Sequence, residues 1–247
     1  MLRQSPNRLV VIAASARTGS TLLLSGLHAC GVATTSREAL NPFRIAAHLT
    51  GLSRIRYLIG HPYSAVEKAS TRSVRNALRN IAAESTSSDG TLVLKVMWNH
   101  LHSILHSRGL DLDAFGAPIT WIRIRRIDQV QQAVSRERAK QTGSWRSSVQ
   151  EVRLPTFDAG RIAQALDFLR QEEAGWDTYL AALGATPLQV TYEGLDADYE
   201  GEMRRVLDYI GSPNVTVPPR QISRQADHLN AEWVERFLST HPDSKGD

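Results

Sequence analysis

The stretch VVIAASARTGSTLLLSGLHACG, residues 10–31, has the pattern of a buried strand at its start and of a helix at its end, and it is the clearest indication of the fold. Residues 9–14 form a continuous apolar run typical of a central parallel strand, and residues 21–29 carry apolar side chains at helical spacing. Between them, ASARTGST keeps the spacing of a phosphate-binding G-x-x-x-x-G-K-[ST] loop. Ala14 replaces the first glycine and Ser20 replaces the lysine. The stretch therefore predicts a phosphate-binding turn without the lysine that grips a terminal phosphate.

The composition of the 247 residues is that of an ordinary globular protein, with 42% hydrophobic and 22% charged residues and a formal charge of +4. This mild positive charge suits an anionic small ligand and does not indicate a nucleic-acid partner. The single cysteine, Cys30, excludes an intrachain disulfide and a four-cysteine zinc site. No apolar run is long enough for a membrane span or a signal peptide, so we expect one cytoplasmic domain over residues 1–247.

Strand and helix patterns alternate along the rest of the chain. Further strands are expected at residues 92–98, 117–126 and 187–195. Further helices are expected at residues 65–84, 101–107, 128–141, 154–183 and 198–210, with a last helix near the C-terminus. Asp128 is the candidate N-cap of the helix at 128–141, and a break is expected near Leu154-Pro155, with Asp158 as the candidate cap of the part that follows. Residues 34–60 have no clear period, and TTSREALNPF, residues 34–43, is expected to form a loop. This order predicts an α/β fold with a short parallel sheet flanked by helices, in which ligands bind beyond the carboxyl ends of the strands.

The first strand-to-helix turn carries the groups that bind a phosphate. Successive backbone N–H groups and the positive end of the helix dipole point at one spot. Arg17 adds a charged, forked donor, and Ser20 and Thr21 add hydroxyl groups. No later strand ends in the paired aspartates expected of a magnesium site, so we expect no metal and no hydrolysis of ATP or GTP. A serine-rich helix start without a ligand is the alternative interpretation.

Several segments of the sequence resemble those of one protein family. SARTGSTLL is similar to the segment that binds the 5′-phosphosulfate in bacterial sulfotransferases that use 3′-phosphoadenosine 5′-phosphosulfate (PAPS), and the nearest type is the trehalose 2-sulfotransferase family. Further similar blocks follow in order: GVATTSREALNPF, LKVMWNH, RIRRIDQVQQAVSRERAKQTGSW, VTYEGLDADYEGEMRRVLDYIG and RQADHLNAEWVERF. The resemblance implies a P-loop-like sulfotransferase fold, PAPS as the cofactor and adenosine 3′,5′-bisphosphate as its product.

The resemblance assigns the cofactor contacts to two groups of residues. The 5′-phosphosulfate would lie on Arg17, Thr18, Gly19, Ser20 and Thr21. The 3′-phosphate would lie on Arg126, with Arg125 as its neighbour, on Ser135 and on Arg224 in a late basic loop. Side-chain alternation along WIRIRR does not decide between the two adjacent arginines, and one of them could instead pair with a carboxylate at the sheet edge.

The resemblance also implies the catalytic residues. Arg17 would supply positive charge at the bridging and sulfonate oxygens. Glu38 stands where the trehalose type has its general base, and a carboxylate in a partly dry pocket can have its pKa raised toward the working range. His100 and His102 are the alternative bases, and a solvated surface glutamate is the alternative interpretation of Glu38. The following LNPF departs from the more acidic and aromatic sequence expected there, which leaves the acceptor open.

Three further residues are candidates for contact with the acceptor. Trp98 and Asn99 follow the second strand, and Trp145 follows the helix at 128–141. Aromatic and amide groups suit a carbohydrate through stacking and hydrogen bonds, although simple core packing explains a tryptophan equally well. The sequence therefore predicts a sulfotransferase that acts on a hydroxyl of a sugar or sugar-containing metabolite, and a homodimer would fit. The alternatives are a nucleotide kinase and a nucleotide-binding protein without catalysis.

Overall fold

The computed structural model describes residues 5–35, 37–145, 154–222 and 228–244. Within these ranges the sheet has four parallel strands in the order β2-β1-β3-β4. The strands are β1 (Arg8–Ala14), β2 (Thr91–Met97), β3 (Ile119–Arg125) and β4 (Leu188–Thr191). The predicted α/β class with a short parallel sheet is confirmed, whereas the single domain over all residues stays a prediction.

Helices cover both faces of this sheet. They are α1 (Ser20–Ala29), α2 (Pro42–Ala47), α3 (Gly51–Ile59), α4 (Pro62–Glu67), α5 (Thr71–Ser85), α6 (Trp98–His100), α7 (Gln129–Thr142), α8 (Ala159–Ala182), α9 (Tyr192–Ala197), α10 (Tyr199–Tyr209) and α11 (His228–Thr240). A π-helical stretch at Leu101–Leu105 and 3₁₀ turns at His106–Arg108, Leu112–Phe115 and Pro242–Ser244 are also present. Among the residues described, no helix is both long and apolar enough to cross a bilayer.

The side chains of β1 alternate between two hydrophobic cores. Leu9, Val11 and Ala13 pack with α2, α4, α5 and α8 on one face. Val10, Ile12 and Ala14 pack with α1 and α10 on the other. Because both faces of the strand are buried, every position from Leu9 to Ala14 is apolar, and this is the continuous run that predicts a central strand. A third core joins α7, α8 and α11 beside the sheet.

The loop expected over residues 34–43 is two residues too long, because α2 begins at Pro42, and α3 also lies within the stretch that has no clear period. Helix α2 begins with Pro42, and the Asn41 side chain accepts a hydrogen bond from the Phe43 N–H at 2.9 Å. These are standard helix-start residues. A helix of six residues has fewer than two turns, however, so it offers too few positions to show a helical period.

Two other predicted elements are shorter than expected. The helix predicted at 65–84 is divided, because the Ser70 hydroxyl accepts from the Ser73 N–H at 3.3 Å and starts α5 as a separate helix. The strand predicted at 187–195 ends at Thr191, whose hydroxyl accepts from the Gly194 N–H at 3.0 Å and starts α9. Local side-chain caps compete with the continuation of both elements.

The predicted starts of α7 and α8 are confirmed. The Asp128 carboxylate accepts from the Gln131 N–H at 2.7 Å, and the Asp158 carboxylate accepts from the Arg161 N–H at 3.0 Å. An N-cap bonds to a group three residues ahead in the same segment, so local sequence is enough to predict it.

Candidate functional site

The candidate site lies beyond the carboxyl ends of β1 and β3. Strands β2 and β3 lie on opposite sides of β1, so the chain leaves β1 toward one side and returns on the other. Such a reversal opens a crevice between the turns that follow the two strands. The turns are residues 15–21 after β1, here named the phosphate loop, and residues 126–128 after β3.

The phosphate loop has a tight backbone that is fixed from inside and from outside. Arg17 has φ +67° and Gly19 has φ +78°, both in the left-handed region. The buried Thr18 hydroxyl donates to the Ser15 carbonyl at 3.0 Å. A Cβ built on Gly19 would lie 2.7 Å from Cδ2 of Tyr192, so only glycine fits there. A left-handed arginine is uncommon, and such strain concentrates at ligand-binding turns.

The Arg17 side chain reaches across the crevice to the helix that follows β3. Its Nε donates to the Ser135 hydroxyl at 2.9 Å, and its Nη1 donates to the Trp145 carbonyl at 2.9 Å. Arg126 donates to the Arg17 carbonyl at 3.4 Å, and its guanidinium lies 4.5 Å from the ring centroid of Tyr192. The structure therefore joins the first predicted group of anion-binding residues with the second.

The guanidinium groups in this crevice are arranged as an anion site would require. Burial, together with the positive charges of Arg126 and Arg138, lowers the pKa of Arg17 to about 10. Arg138 is buried and donates to the Asn230 side chain at 2.8 Å. Clustered positive charges repel one another unless an anion lies between them. With the Ser135 hydroxyl, this donor set fits a phosphate group.

The structure separates the two adjacent arginines. Arg126 is buried in the crevice, where it also contacts the Gln131 side chain and lies 4.0 Å from a Glu193 carboxylate oxygen. The Arg125 side chain turns the other way and pairs with Asp177 and with Glu173 of α8. Successive side chains of an extended strand point to opposite sides, so only one of the two arginines can face the crevice.

Of the other predicted anion contacts, Ser20 and Thr21 form the first turn of α1. Ser20 is buried, and the Thr21 hydroxyl accepts a hydrogen bond from Nζ of Lys95 at 3.2 Å. Arg224 lies outside the described residues.

Glu38 lies at the opposite end of the phosphate loop from Ser135, next to groups from β2 and α6. Nδ1 of His100 is 2.5 Å from Oε1 of Glu38, and Nζ of Lys95 is 3.7 Å from its Oε2. Because Lys95 also bonds Thr21, a chain of polar contacts runs from Glu38 to the start of α1. His100 is thus a partner of Glu38 rather than a separate candidate.

The electrostatics of Glu38 differ from the sequence-based expectation. Burial alone would raise its pKa, but the hydrogen bond with His100 and the positive charge of Lys95 outweigh burial, so the pKa lies below its usual value. The expected rise toward the working range is wrong, because it took account of the dry surroundings and not of these two partners. The carboxylate is ionised at neutral pH, accepts from the imidazole N–H and can take up a proton.

The three predicted acceptor contacts differ in exposure. Trp98 packs against α8, where a Cβ on Gly175 would lie 2.3 Å from its Cε2 and where its ring centroid is 5.4 Å from that of Trp176. Much of Trp98 is therefore core. Asn99 is exposed, and Trp145 is 47% exposed beside Arg17. His102, the other alternative base, is exposed and stacks on Trp98.

Three charged residues near the crevice were not among the predicted site residues: Lys95, Glu172 and Glu173. Lys95 interrupts the apolar strand LVLKVM, and a lysine is almost never fully buried unless it is paired. Its position within a buried strand was therefore the feature of the sequence that indicated a charged partner. Glu172 occupies a core position of α8 at helical spacing between Leu169 and Trp176. Within the part of the chain that the structure describes, no group of three or more His, Cys, Asp or Glu side chains could hold a metal ion.

Comparison with known proteins identifies the family of this chain. A family model described as Stf0 sulphotransferase matches residues 9–240. The chain is 30% identical to a trehalose 2-sulfotransferase of Mycolicibacterium smegmatis, over 92% of this chain and 93% of the relative, and 29% identical to one of Mycobacterium tuberculosis, over 95% and 96%. Among solved structures, a sulfotransferase domain of the Synechococcus PCC 7002 olefin synthase is 16% identical. The similarity has a TM-score of 0.44 and covers 96% of this chain and 97% of that domain. The chain belongs to the Stf0 sulphotransferase family.

Proposed function

We propose that this protein transfers a sulfuryl group from PAPS to a hydroxyl group of a sugar or sugar-containing metabolite. The observation that carries the proposal is that Arg17, Arg126 and Ser135 meet at the phosphate loop, while the largely buried, ionised carboxylate of Glu38 is joined to the same loop through Lys95 and Thr21. Family membership supports the reaction class, and trehalose in the names of two relatives supports a sugar acceptor.

In this proposal the residues around the phosphate loop have different roles. The phosphate loop and the start of α1 would hold the 5′-phosphosulfate, and Arg126 with Ser135 would hold the 3′-phosphate. When bound, PAPS supplies the sulfuryl group, whose bond to the 5′-phosphate oxygen breaks as its bond to the acceptor oxygen forms. Arg17 contributes positive charge where negative charge develops on the departing phosphate.

Glu38 would take the proton of the acceptor hydroxyl. Its carboxylate is already ionised, so it is ready to accept a proton, and His100 fixes its orientation. Lys95 holds Glu38 next to the first turn of α1, which keeps the base close to the phosphate loop. Asn99 and the exposed face of Trp145 would contact the acceptor.

The direct test of this function is turnover of labelled PAPS with trehalose and a panel of other sugars and glycosylated metabolites. We expect a sulfated acceptor and adenosine 3′,5′-bisphosphate in equal amounts. Binding of adenosine 3′,5′-bisphosphate without any turnover would instead indicate a nucleotide-binding protein. Transfer of phosphate from ATP would indicate a kinase.

A second prediction concerns the 3′-phosphate. We expect adenosine 3′,5′-bisphosphate to bind at least about tenfold more tightly than AMP, because charge-assisted hydrogen bonds each contribute roughly 1.5–3 kcal/mol. Calorimetry measures both affinities. Arg126→Ala should abolish the preference, whereas the matched variant Arg125→Ala should keep it, because Arg125 is paired with α8. Equal affinities for the two nucleotides in the unmodified protein would contradict the assignment.

We also expect activity to be independent of divalent metal ions. The sulfonate group carries less charge than a terminal phosphate, and arginine side chains can neutralise it without a metal. Turnover in excess EDTA should equal turnover without it. Loss of activity in EDTA that magnesium restores would favour the kinase interpretation.

A further inference from the structure

Helix α8 holds three successive residues at the point where β1 passes into the phosphate loop. Nε1 of Trp176 donates to the Ala14 carbonyl at 2.9 Å, and the Ser15 hydroxyl donates to the Glu173 carboxylate. The Ala16 backbone N–H acts on the Glu172 carboxylate closely enough to lower its pKa. One face of α8 therefore holds the start of the phosphate loop in place.

Glu172 makes a second contact that the other residues of this face do not make. Its Oε1 accepts a hydrogen bond from the Asn99 backbone N–H at 3.2 Å. Asn99 precedes His100, which holds Glu38. A single carboxylate thus joins the loop on the donor side of the crevice to the turn that carries the partner of the proposed base.

The surroundings of Glu172 are unfavourable for a carboxyl group, so burial of this side chain costs more free energy than burial of an apolar side chain of the core would. The side chain is 3% exposed, and within the described part of the chain its Oε2 has no hydrogen-bond partner. Burying a carboxyl group without full satisfaction destabilises a fold, whereas an apolar residue would fit such a core position at no such cost.

We propose that Glu172 is a positioning residue that fixes the phosphate loop relative to the turn after β2, and so sets the alignment of donor and acceptor. This inference rests on the proposed function. Catalysis is sensitive to such alignment, since a displacement of about 1 Å can lower a rate by roughly a hundredfold.

The proposal includes a dependence on pH. Burial raises the pKa of Glu172 to about 7, against the lowering effects of the Asn99 and Ala16 N–H groups and of the charges on Arg136 and His100. The charged groups that face it are Arg136 from α7, Arg123 from β3 and His100 from α6. A carboxylate accepts both N–H groups more strongly than a carboxylic acid does. The alignment should therefore tighten as pH rises through about 7.

The kinetic test compares Glu172→Gln with Asp167→Asn, which changes an exposed acidic residue of the same helix. For Glu172→Gln we expect kcat to fall by about tenfold at pH 8, with KM for both substrates and affinity for adenosine 3′,5′-bisphosphate within about threefold of the parent. The ratio of parent to variant kcat should shrink below pH 7. Asp167→Asn should match the parent. A kcat within twofold of the parent at pH 8, or equal losses in affinity and kcat, would overturn the proposal.

A second measurement does not need turnover. Amide NMR shifts of Ala16 and Asn99 in the unmodified protein should titrate together with a midpoint near pH 7, and neither should do so in Glu172→Gln. If PAPS is not turned over at all, the proposed function is wrong. The NMR shifts of Ala16 and Asn99 would even then show whether Glu172 links the phosphate loop to the turn after β2. Amides that do not titrate together in an active enzyme would overturn the positioning role alone.

Discussion

Replacing Glu38 with glutamine is expected to lower turnover by about a hundredfold or more while leaving nucleotide affinity nearly unchanged. Glutamine keeps the size of the side chain and can still accept from His100, but it cannot take up the acceptor proton. The loss should therefore appear in kcat, measured with saturating PAPS and acceptor, and not in calorimetric binding of adenosine 3′,5′-bisphosphate.

The contact between Glu38 and Lys95 provides a second readout for this prediction. Lys95 lowers the pKa of Glu38, so the carboxylate is the species present at neutral pH and activity should be lost only as pH falls through that low pKa. Lys95→Met removes the charge, and the acid limb of the rate profile should move to higher pH. Normal turnover in Glu38→Gln would exclude Glu38 as the base. Weakened nucleotide binding would mean that Glu38 organises the phosphate loop through Lys95 and Thr21.

Replacing Arg17 with alanine should lower turnover by about a hundredfold and weaken binding of adenosine 3′,5′-bisphosphate by about tenfold. In the proposed reaction the charge of Arg17 matters most as negative charge develops on the leaving phosphate, so the loss in kcat should exceed the loss in affinity. Alanine has a Cβ just as arginine does, so the left-handed backbone at φ +67° is equally strained in both proteins. The comparison therefore isolates the guanidinium.

Two variants make the Arg17 experiment specific. Arg17→Lys keeps a positive charge but loses the forked geometry that reaches Ser135, so we expect it to recover only part of the activity. Arg125→Ala removes an arginine that lies outside the crevice and is partly exposed, as Arg17 is, and this variant should behave as the parent does. Full activity in Arg17→Ala would transfer the charge-stabilising role to Arg126 or Lys95.

The central strand, the turn after it and the helix starts at Asp128 and Asp158 were all predictable from sequence. A strand buried on both faces is apolar at every position, and a cap bonds within its own turn, so each of these features is recorded in adjacent residues. The short helices α2 and α3 were not predictable in the same way. Fewer than three turns of helix give a weak periodic pattern, and packing against α4 and α5 rather than local preference stabilises α2.

The same distinction between local and long-range interactions applies to the candidate site. The adjacent residues of the sequence were enough to predict a phosphate-binding turn after β1 and two arginines at the end of β3, because both follow from chemistry within a few residues. Only the tertiary structure decided that Arg126 faces the crevice, since the carboxylates that hold Arg125 come from α8. It also decided the ionisation of Glu38 and Glu172, whose partners His100 and Asn99 lie 62 and 73 residues away. Burial and charge act through distances in space, and the whole fold sets those distances.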